Sequence, residues 1–385
     1  MDPHRVPFTR CRLVAALLLL CTSTVVAADR PTVPALSAVA GHAALDHIAP
    51  WNNRFGRMRP LVAIIGNNSG TELVDFVVPY GVLMASDAAD VVTVAAHPGP
   101  LAMRPALRLE AQATAHAFDA RHPDGADYVI VPAVVDRDDP VLLGWIAAQY
   151  RRGASIVSIC DGALVVANAG VSNGHFATAH WATEALRARQ YPGTHWVKDV
   201  RYVADGRIVS SAGISAAIPT SLALLEAIAG RERAAALARE LGVADWGTQH
   251  DSDAFQPRFG ANLSAFAATN YGNHWFHSMQ RVGVPVAAGI DEIALAITAD
   301  GYSRTGRSHA YSLAASMQPV TTRHGLVLLP DRAAADTTLD VVLPSLQPAP
   351  SARAFDTVLA SIASRYGRNT AYGVALDFEY PGFHK

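Results

Sequence analysis

Four short apolar runs, set between segments of helical spacing, limit this chain to a layered α/β fold. They are Leu61-Val62-Ala63-Ile64-Ile65, Val91-Val92-Thr93-Val94-Ala95-Ala96, Tyr128-Val129-Ile130-Val131-Pro132 and Ala154-Ser155-Ile156-Val157-Ser158-Ile159. Each is strand-length and predominantly apolar, as a strand buried on both faces is. Such strands pair in parallel and need helices over both faces. Residues 71–86 have helical spacing, and Pro140 to Arg152 reads as a helix with proline at its start and Gly153 at its end. Beyond the fourth run, residues 201–210 read as a hairpin turning on Asp205-Gly206, and Ile214 to Ala229 as a buried helix closed by Gly230. A composition that is 50% hydrophobic but only 8% aromatic suits closely packed layers of this kind.

The fourth run ends on Cys160, and Asp161-Gly162-Ala163-Leu164-Val165-Val166-Ala167 begins a helix at once. A strand-to-helix corner lifts a side chain out of the sheet beside a helix N-terminus, where backbone N–H groups favour a thiolate. The chain has three cysteines. Cys11 and Cys21 lie in a stretch that reads as an export signal: Arg5, Arg10 and Arg12, the apolar run Leu13 to Leu20, then small residues to Ala28. Cleavage before Asp29 leaves 357 of the 385 residues and a lone thiol, which is then a small buried hydrophobe or a reactive group. The corner favours the reactive group. Losing three arginines and one aspartate moves the formal charge from −2 to −4, which gives no reason to expect nucleic acid or an anionic membrane as partner. Leucine precedes Cys21 where a lipoprotein signal needs a small residue, and no arginine pair precedes the apolar run. The general export route follows, with a periplasmic or extracellular location. The alternative is an uncleaved N-terminal anchor, the one route to a membrane.

Ser158-Ile159-Cys160-Asp161-Gly162-Ala163-Leu164, then Ala169-Gly170, then Ala177-Thr178-Ala179-His180-Trp181, resembles the DJ-1/PfpI superfamily, a class I glutamine amidotransferase-like group. Within it the likeness is nearest to the branch of isonitrile hydratases and the sensor domains of AraC-type regulators, and it extends over about residues 61–242. The resemblance implies a flavodoxin-like α/β sandwich with a parallel sheet and a nucleophile elbow at Cys160. It also implies an acidic partner from an early helix, which falls on Asp75, four residues before Pro79. Among Val74, Phe76, Val77 and Val78 that carboxyl is desolvated, which raises its pKa and keeps it protonated beside a thiolate. The plainer reading is a surface aspartate at a helix end. The family also places a histidine near the cysteine, here His180, as base, as substrate-orienting group, or as a core histidine bonded to backbone. Asp161 and Gly162, with Ala133 and Val134 after the third strand, form the expected substrate- and oxyanion-binding set; the Asp161 charge would raise the thiol pKa, so this carboxylate is expected to point away from Cys160 or to contact substrate water. Much of the family has glycine in that loop, so Ala133-Val134 reshapes the oxyanion site.

Residues 29–59 read as a spacer or N-terminal arm, 60–242 as the main domain, 243–283 as a connection and 284–385 as a second, partial and degenerate α/β lobe. In that lobe Gly289–Ala296 echoes Gly70–Val77, Ala310–Ala315 echoes Val91–Ala96, and Leu339–Pro344 echoes Tyr128–Pro132. A helix-like segment, Ala354 to Tyr366, follows in both copies, but nothing matches the Cys160 corner. Two unrelated α/β segments would share such patterns too. A homodimer, or an intramolecular pseudo-dimer with the half-copy in the place of a second subunit, follows from duplication. His274 and His277 have no accompanying ligand set, so no metal is expected, and nothing calls for a cofactor. Asp377-Phe378-Glu379-Tyr380 reads as a charged tail. Two functions remain: an exported cysteine-dependent hydrolase or lyase (hydratase) for a small C–N or carbonyl substrate, or a non-enzymatic redox- or ligand-sensing module of the same fold.

Overall fold

The computed structural model describes residues 45–384, apart from Thr337. The export signal expected over residues 1–28 lies outside the described residues. The first half runs β1 (Leu61–Gly66), β2 (Thr71–Glu72), α1 (Leu73–Ser86), β3 (Asp90–Ala95), β4 (Leu101–Arg104), β5 (Arg108–Glu110), β6 (Ala113–Thr114), α2 (Ala115–Arg121), β7 (Tyr128–Val131), α3 (Pro140–Arg151), β8 (Ser155–Ser158) and α4 (Gly162–Asn168). It continues through β9 (Phe176–Ala177), α5 (Glu184–Gln190), β10 (His195–Trp196), the hairpin β11 (Tyr202–Asp205) and β12 (Ile208–Ser211), α6 (Ala217–Ala229) and α7 (Arg231–Leu241).

All four apolar runs are strands of one seven-stranded sheet, ordered β11-β12-β8-β7-β1-β3-β6, in which only β11 runs antiparallel to its neighbour. Alternate residues of β1 divide between two cores, as period-two geometry requires. Val62 and Ile64 pack with α1, α6 and α7, whereas Leu61, Ala63 and Ile65 pack with α2, α3 and α4. The fold is thus the flavodoxin-like α/β sandwich that the resemblance implied. Residues 45–59, read as a spacer, are docked where they are described: Trp51 N–H donates to the Ala227 carbonyl (2.9 Å) and Leu45 is buried against Val200 and Val203.

The second half contains α8 (Leu263–Ala267), α9 (Asn273–Phe276), β13 (Gln280–Pro285), α10 (Glu292–Ser303), β14 (Ser308–Ala314), β15 (Val320–Thr321), β16 (Val327–Leu328), β17 (Arg332–Ala333), β18 (Val341–Val342), α11 (Ala354–Tyr366) and α12 (Arg368–Asp377). Four of its strands form a parallel sheet, β17-β14-β13-β18. Its central strand β13 starts at Gln280, inside the stretch read as a connection. α11, which the sequence pattern aligns with the helix after Tyr128–Pro132, does not pack as that helix, α3, does. α11 packs on α10 as α6 packs on α1, while α3 lies on the opposite face of the first sheet. Both α6 and α11 have 13 residues, follow a one-turn 3-10 helix, and pass through a glycine (Gly230, φ 84°, ψ 162°; Gly367, φ 91°, ψ 152°) into another helix.

Helix packing and strand pairing both join the two halves. α1 packs on α10, with Gly81 leaving the space: a Cβ there would lie 2.6 Å from Ile293 Cγ1. β5 pairs antiparallel with β16, joining β15-β16-β5-β4-β2 into a five-stranded sheet across both halves. Among the described residues no helix is long and apolar enough to cross a membrane.

Candidate active site

Cys160 sits at the corner between β8 and α4 with φ 54°, a left-handed conformation that a residue with a Cβ adopts only where its surroundings hold it. Its N–H donates to Ser211 Oγ (3.2 Å) on the neighbouring β12. Two residues on, only glycine fits, because a Cβ on Gly162 would lie 2.0 Å from the Val131 carbonyl oxygen. The corner is therefore clamped between β7 and β12, with the thiol 5% exposed.

Asp75 approaches from α1 and is fully buried. Pro79, four residues on, has no N–H to bond the Asp75 carbonyl, which loosens the helix at this carboxylate. Its Oδ2 accepts the Ala133 N–H (3.2 Å), and its Oδ1 is buried with no partner. Glu72, the N-cap of α1, accepts the Asp75 N–H through Oε2 (2.5 Å). Burial pushes Asp75 up to about 7; burial and the Asp75 charge push Glu72 up to about 8. The thiol responds to the same surroundings. Burial, then Asp75, Asp161, Glu72 and Glu379 in that order, hold Cys160 well above the usual thiol range. The thiolate expected from the helix N-terminus is thereby corrected. α4 has only seven residues, and its partial charge is outweighed by dry surroundings and four carboxyl groups.

Three other expected site residues are committed to partners, Asp161 pointing away from the thiol and His180 bonded to backbone as one expected reading of each had it. Ala133 spends its N–H on Asp75, and its loop is tied to the start of α1 by Glu72 N–H to the Ala133 carbonyl (2.8 Å) and Val135 N–H to the Gly70 carbonyl (2.9 Å). The Ala133-Val134 loop therefore positions the acid. Asp161 turns from the thiol to accept the Thr183 hydroxyl (2.7 Å). His180 has both ring nitrogens on backbone, Nδ1 accepting the Ala182 N–H (3.1 Å) and Nε2 facing the Asp377 carbonyl (2.9 Å). In this arrangement neither nitrogen is free to take the Cys160 proton.

The second half completes the site. Arg304, at the end of α10, reaches Glu72 Oε1 (3.0 Å) and Asp377 Oδ2 (2.6 Å) and pairs with Asp300. The segment read as a charged tail is corrected: Glu379 is fully buried, with φ 52°. Its carboxylate accepts the Trp181 N–H (2.8 Å) and faces His250 Nε2 (2.7 Å). Burial works against that charge, but the His250 hydrogen bond and the nearby His180 outweigh it and lower the Glu379 pKa. Buried Arg187 closes the wall, donating to the His180 carbonyl (2.6 Å). Glu72, Arg187, His250, Asp300 and Arg304 are not legible as site residues in the sequence, where Asp377 and Glu379 stand out only as an acid pair.

What results is a strained corner carrying a neutral thiol, an acid that exchanges a proton near pH 7, and an enclosure that excludes bulk water. Such a set can add S–H to a small electrophile and return the proton later.

The DJ-1/PfpI family matches residues 61–227. An isonitrile hydratase of Pseudomonas putida is 35% identical over 97 residues, 25% of this chain and 41% of that protein. The HTH-type transcriptional regulator CdhR of Pseudomonas aeruginosa is 35% identical over 88 residues, 22% of this chain and 25% of that protein. The matched stretch thus spans less than half the length of either relative. Drosophila melanogaster DJ-1beta is 20% identical, covering 49% of this chain and 100% of its own, with a TM-score of 0.43. Residues 61–227 of this chain are a DJ-1/PfpI family domain, with Cys160 at its elbow.

Proposed function

We propose that this protein is a cysteine-dependent hydratase or hydrolase acting on a small C–N or carbonyl substrate, with Cys160 as nucleophile and Asp75 as proton donor and acceptor. The observation that carries the reading is Asp75 itself. It is buried beside the thiol, has a free Oδ1, and titrates at about 7. An acid–base group works best with its pKa near the working pH. Glu72 and the Ala133 N–H position this carboxyl.

The isonitrile hydratase relative supplies a worked substrate class. The Cys160 sulfur bonds to the terminal isonitrile carbon, and the thiol proton reaches that carbon through Asp75, giving a thioimidate. Water then adds to the same carbon, one of its protons going to the substrate nitrogen. The C–S bond breaks, an N-substituted formamide leaves, and the remaining proton returns to sulfur. A neutral thiol suits this sequence because the electrophile needs the proton as well as the sulfur. It suits oxidant sensing poorly, since the thiolate is the oxidised species. Enclosure is the one observation that favours a ligand-sensing module, and turnover separates the two readings. Assay against isonitriles, amides and α-oxoaldehydes should find one class consumed by the wild type and untouched by Cys160→Ser. No turnover of any of them rejects the enzyme reading.

Asp75→Asn is expected to slow that turnover at least tenfold, about 1.4 kcal/mol of transition-state stabilisation. The same change should stabilise the fold at pH 8. A carboxyl whose folded pKa is raised favours folding least when ionised, so the wild type loses stability as pH climbs from about 4 through about 7. Urea unfolding should give the asparagine variant an advantage of at least about 1 kcal/mol at pH 8 that shrinks by pH 5. An advantage independent of pH would reject the raised pKa.

We also propose that residues 1–28 are removed on export. Protein recovered from the periplasm of a Gram-negative host should begin at Asp29. Cytosolic protein retaining Met1 would count against it.

A further inference from the structure

The second sheet stops where the first acquires its chemistry. After β7 the chain passes through α3, β8, the Cys160 corner and β12 before it reaches α6. After β18 it reaches α11, which packs on α10 as α6 does on α1, through Leu343–Arg353 alone. The helix starts align as well. Glu72 caps α1 by accepting the Asp75 N–H, and Asp291 caps α10 by accepting the Ala294 N–H (2.9 Å). Ala294 therefore stands where the first half carries its acid.

With no corner to fill it, the space between α10, α11 and the loop 343–350 is an open cavity of about 430 Å³, within the range of small-molecule sites. Its lining is mostly apolar, including Ala294, Leu343, Leu346 and Val358. The polar groups at its floor are satisfied by one another, Tyr302 Oη and Ser361 Oγ lying 2.6 Å apart. Asp291 is spoken for by Arg323 (3.0 Å) and the Ser351 hydroxyl (2.7 Å). At the mouth, exposed Arg353 has a guanidinium with no hydrogen bond or ion pair among the described residues. The uncommitted charge is positive.

We propose that this cavity binds a free monocarboxylate with an apolar body, the body lying between α10 and α11 and the carboxylate on Arg353. With no thiol in its lining and Asp291 held by Arg323 and Ser351, it holds this ligand without transforming it. Titration calorimetry on the full chain with octanoate and with 1-octanol tests the assignment. Octanoate should bind saturably at one site, at least about tenfold tighter than octanol, the margin of one charge-assisted contact. Arg353→Gln should bring octanoate down to the octanol level and leave octanol unchanged. Ala294→Phe and, separately, Thr357→Trp should fill the cavity and remove both, with melting temperatures reporting that each variant is folded. Absence of octanoate binding, equal affinity for the two probes, or binding that survives both filled variants overturns the site. Cys160→Ala should bind octanoate as the wild type does, so this result is independent of the catalytic reading.

Discussion

Replacing Cys160 by alanine is expected to lower kcat/KM by at least about a thousandfold while shifting the melting temperature by only a few degrees. The loss is large because every covalent step runs through the sulfur, and no other cysteine remains among the described residues. The structural effect is small because alanine is smaller than cysteine and the corner is held by backbone and by Gly162 against β7. Alanine still has a Cβ in the left-handed region, so the strain at φ 54° persists. Cys160→Gly removes that strain and should be about 1 kcal/mol more stable than the alanine variant while equally inactive. Steady-state kinetics with thermal unfolding of both variants decides the matter. Measurable turnover in either one would overturn the nucleophile assignment.

The second large effect is on stability. Arg304→Gln is expected to cost about 3–5 kcal/mol, because it leaves Glu72 and Asp300 buried without their cation. The deficit should depend on pH in a defined direction. Burial already raises both carboxyl groups, and without the arginine they take up protons more readily still. The variant therefore regains stability relative to wild type as pH falls from 8 to 5, and Arg304→Gln combined with Asp300→Asn should recover some of the loss at pH 8. Urea unfolding at the two pH values tests this. An equal deficit at both would mean that Arg304 acts through packing, on Phe378 for instance, and not through charge.

The sheet, the elbow and Asp75 were legible because each is written locally. A run such as Leu61–Ile65 announces a buried strand, and Cys160 announces a corner by lying between a strand and a helix. The completed site was not legible, because its remaining members come from far along the chain. Arg304 meets Glu72 across 232 residues, and Glu379 meets Trp181 across 198. Asp377-Phe378-Glu379-Tyr380 looks like a solvated tail since charge ordinarily marks a surface, and only distant donors make its burial tolerable. The hairpin of β4 and β5 is short and carries charges, so nothing announced that it would extend into the second half. His180 was found, but its role depended on which groups its two nitrogens met, and spacing along a sequence holds no such information.

The pairing of α1 with α10 also bears on symmetry. In a two-fold dimer of separate identical chains every contact is made twice, so a notch cut on one side is cut on the other. Here the faces are unlike: Gly81 admits Ile293, while Asp300 and Arg304 reach toward Glu72. A covalent link lets one face specialise as receiver of charge and the other as its donor, and a substitution is felt once. It also removes concentration from the equilibrium. Dilution that would separate a pair of subunits leaves these faces together, so Glu72, which holds the acid beside the thiol, keeps its arginine however scarce the protein becomes.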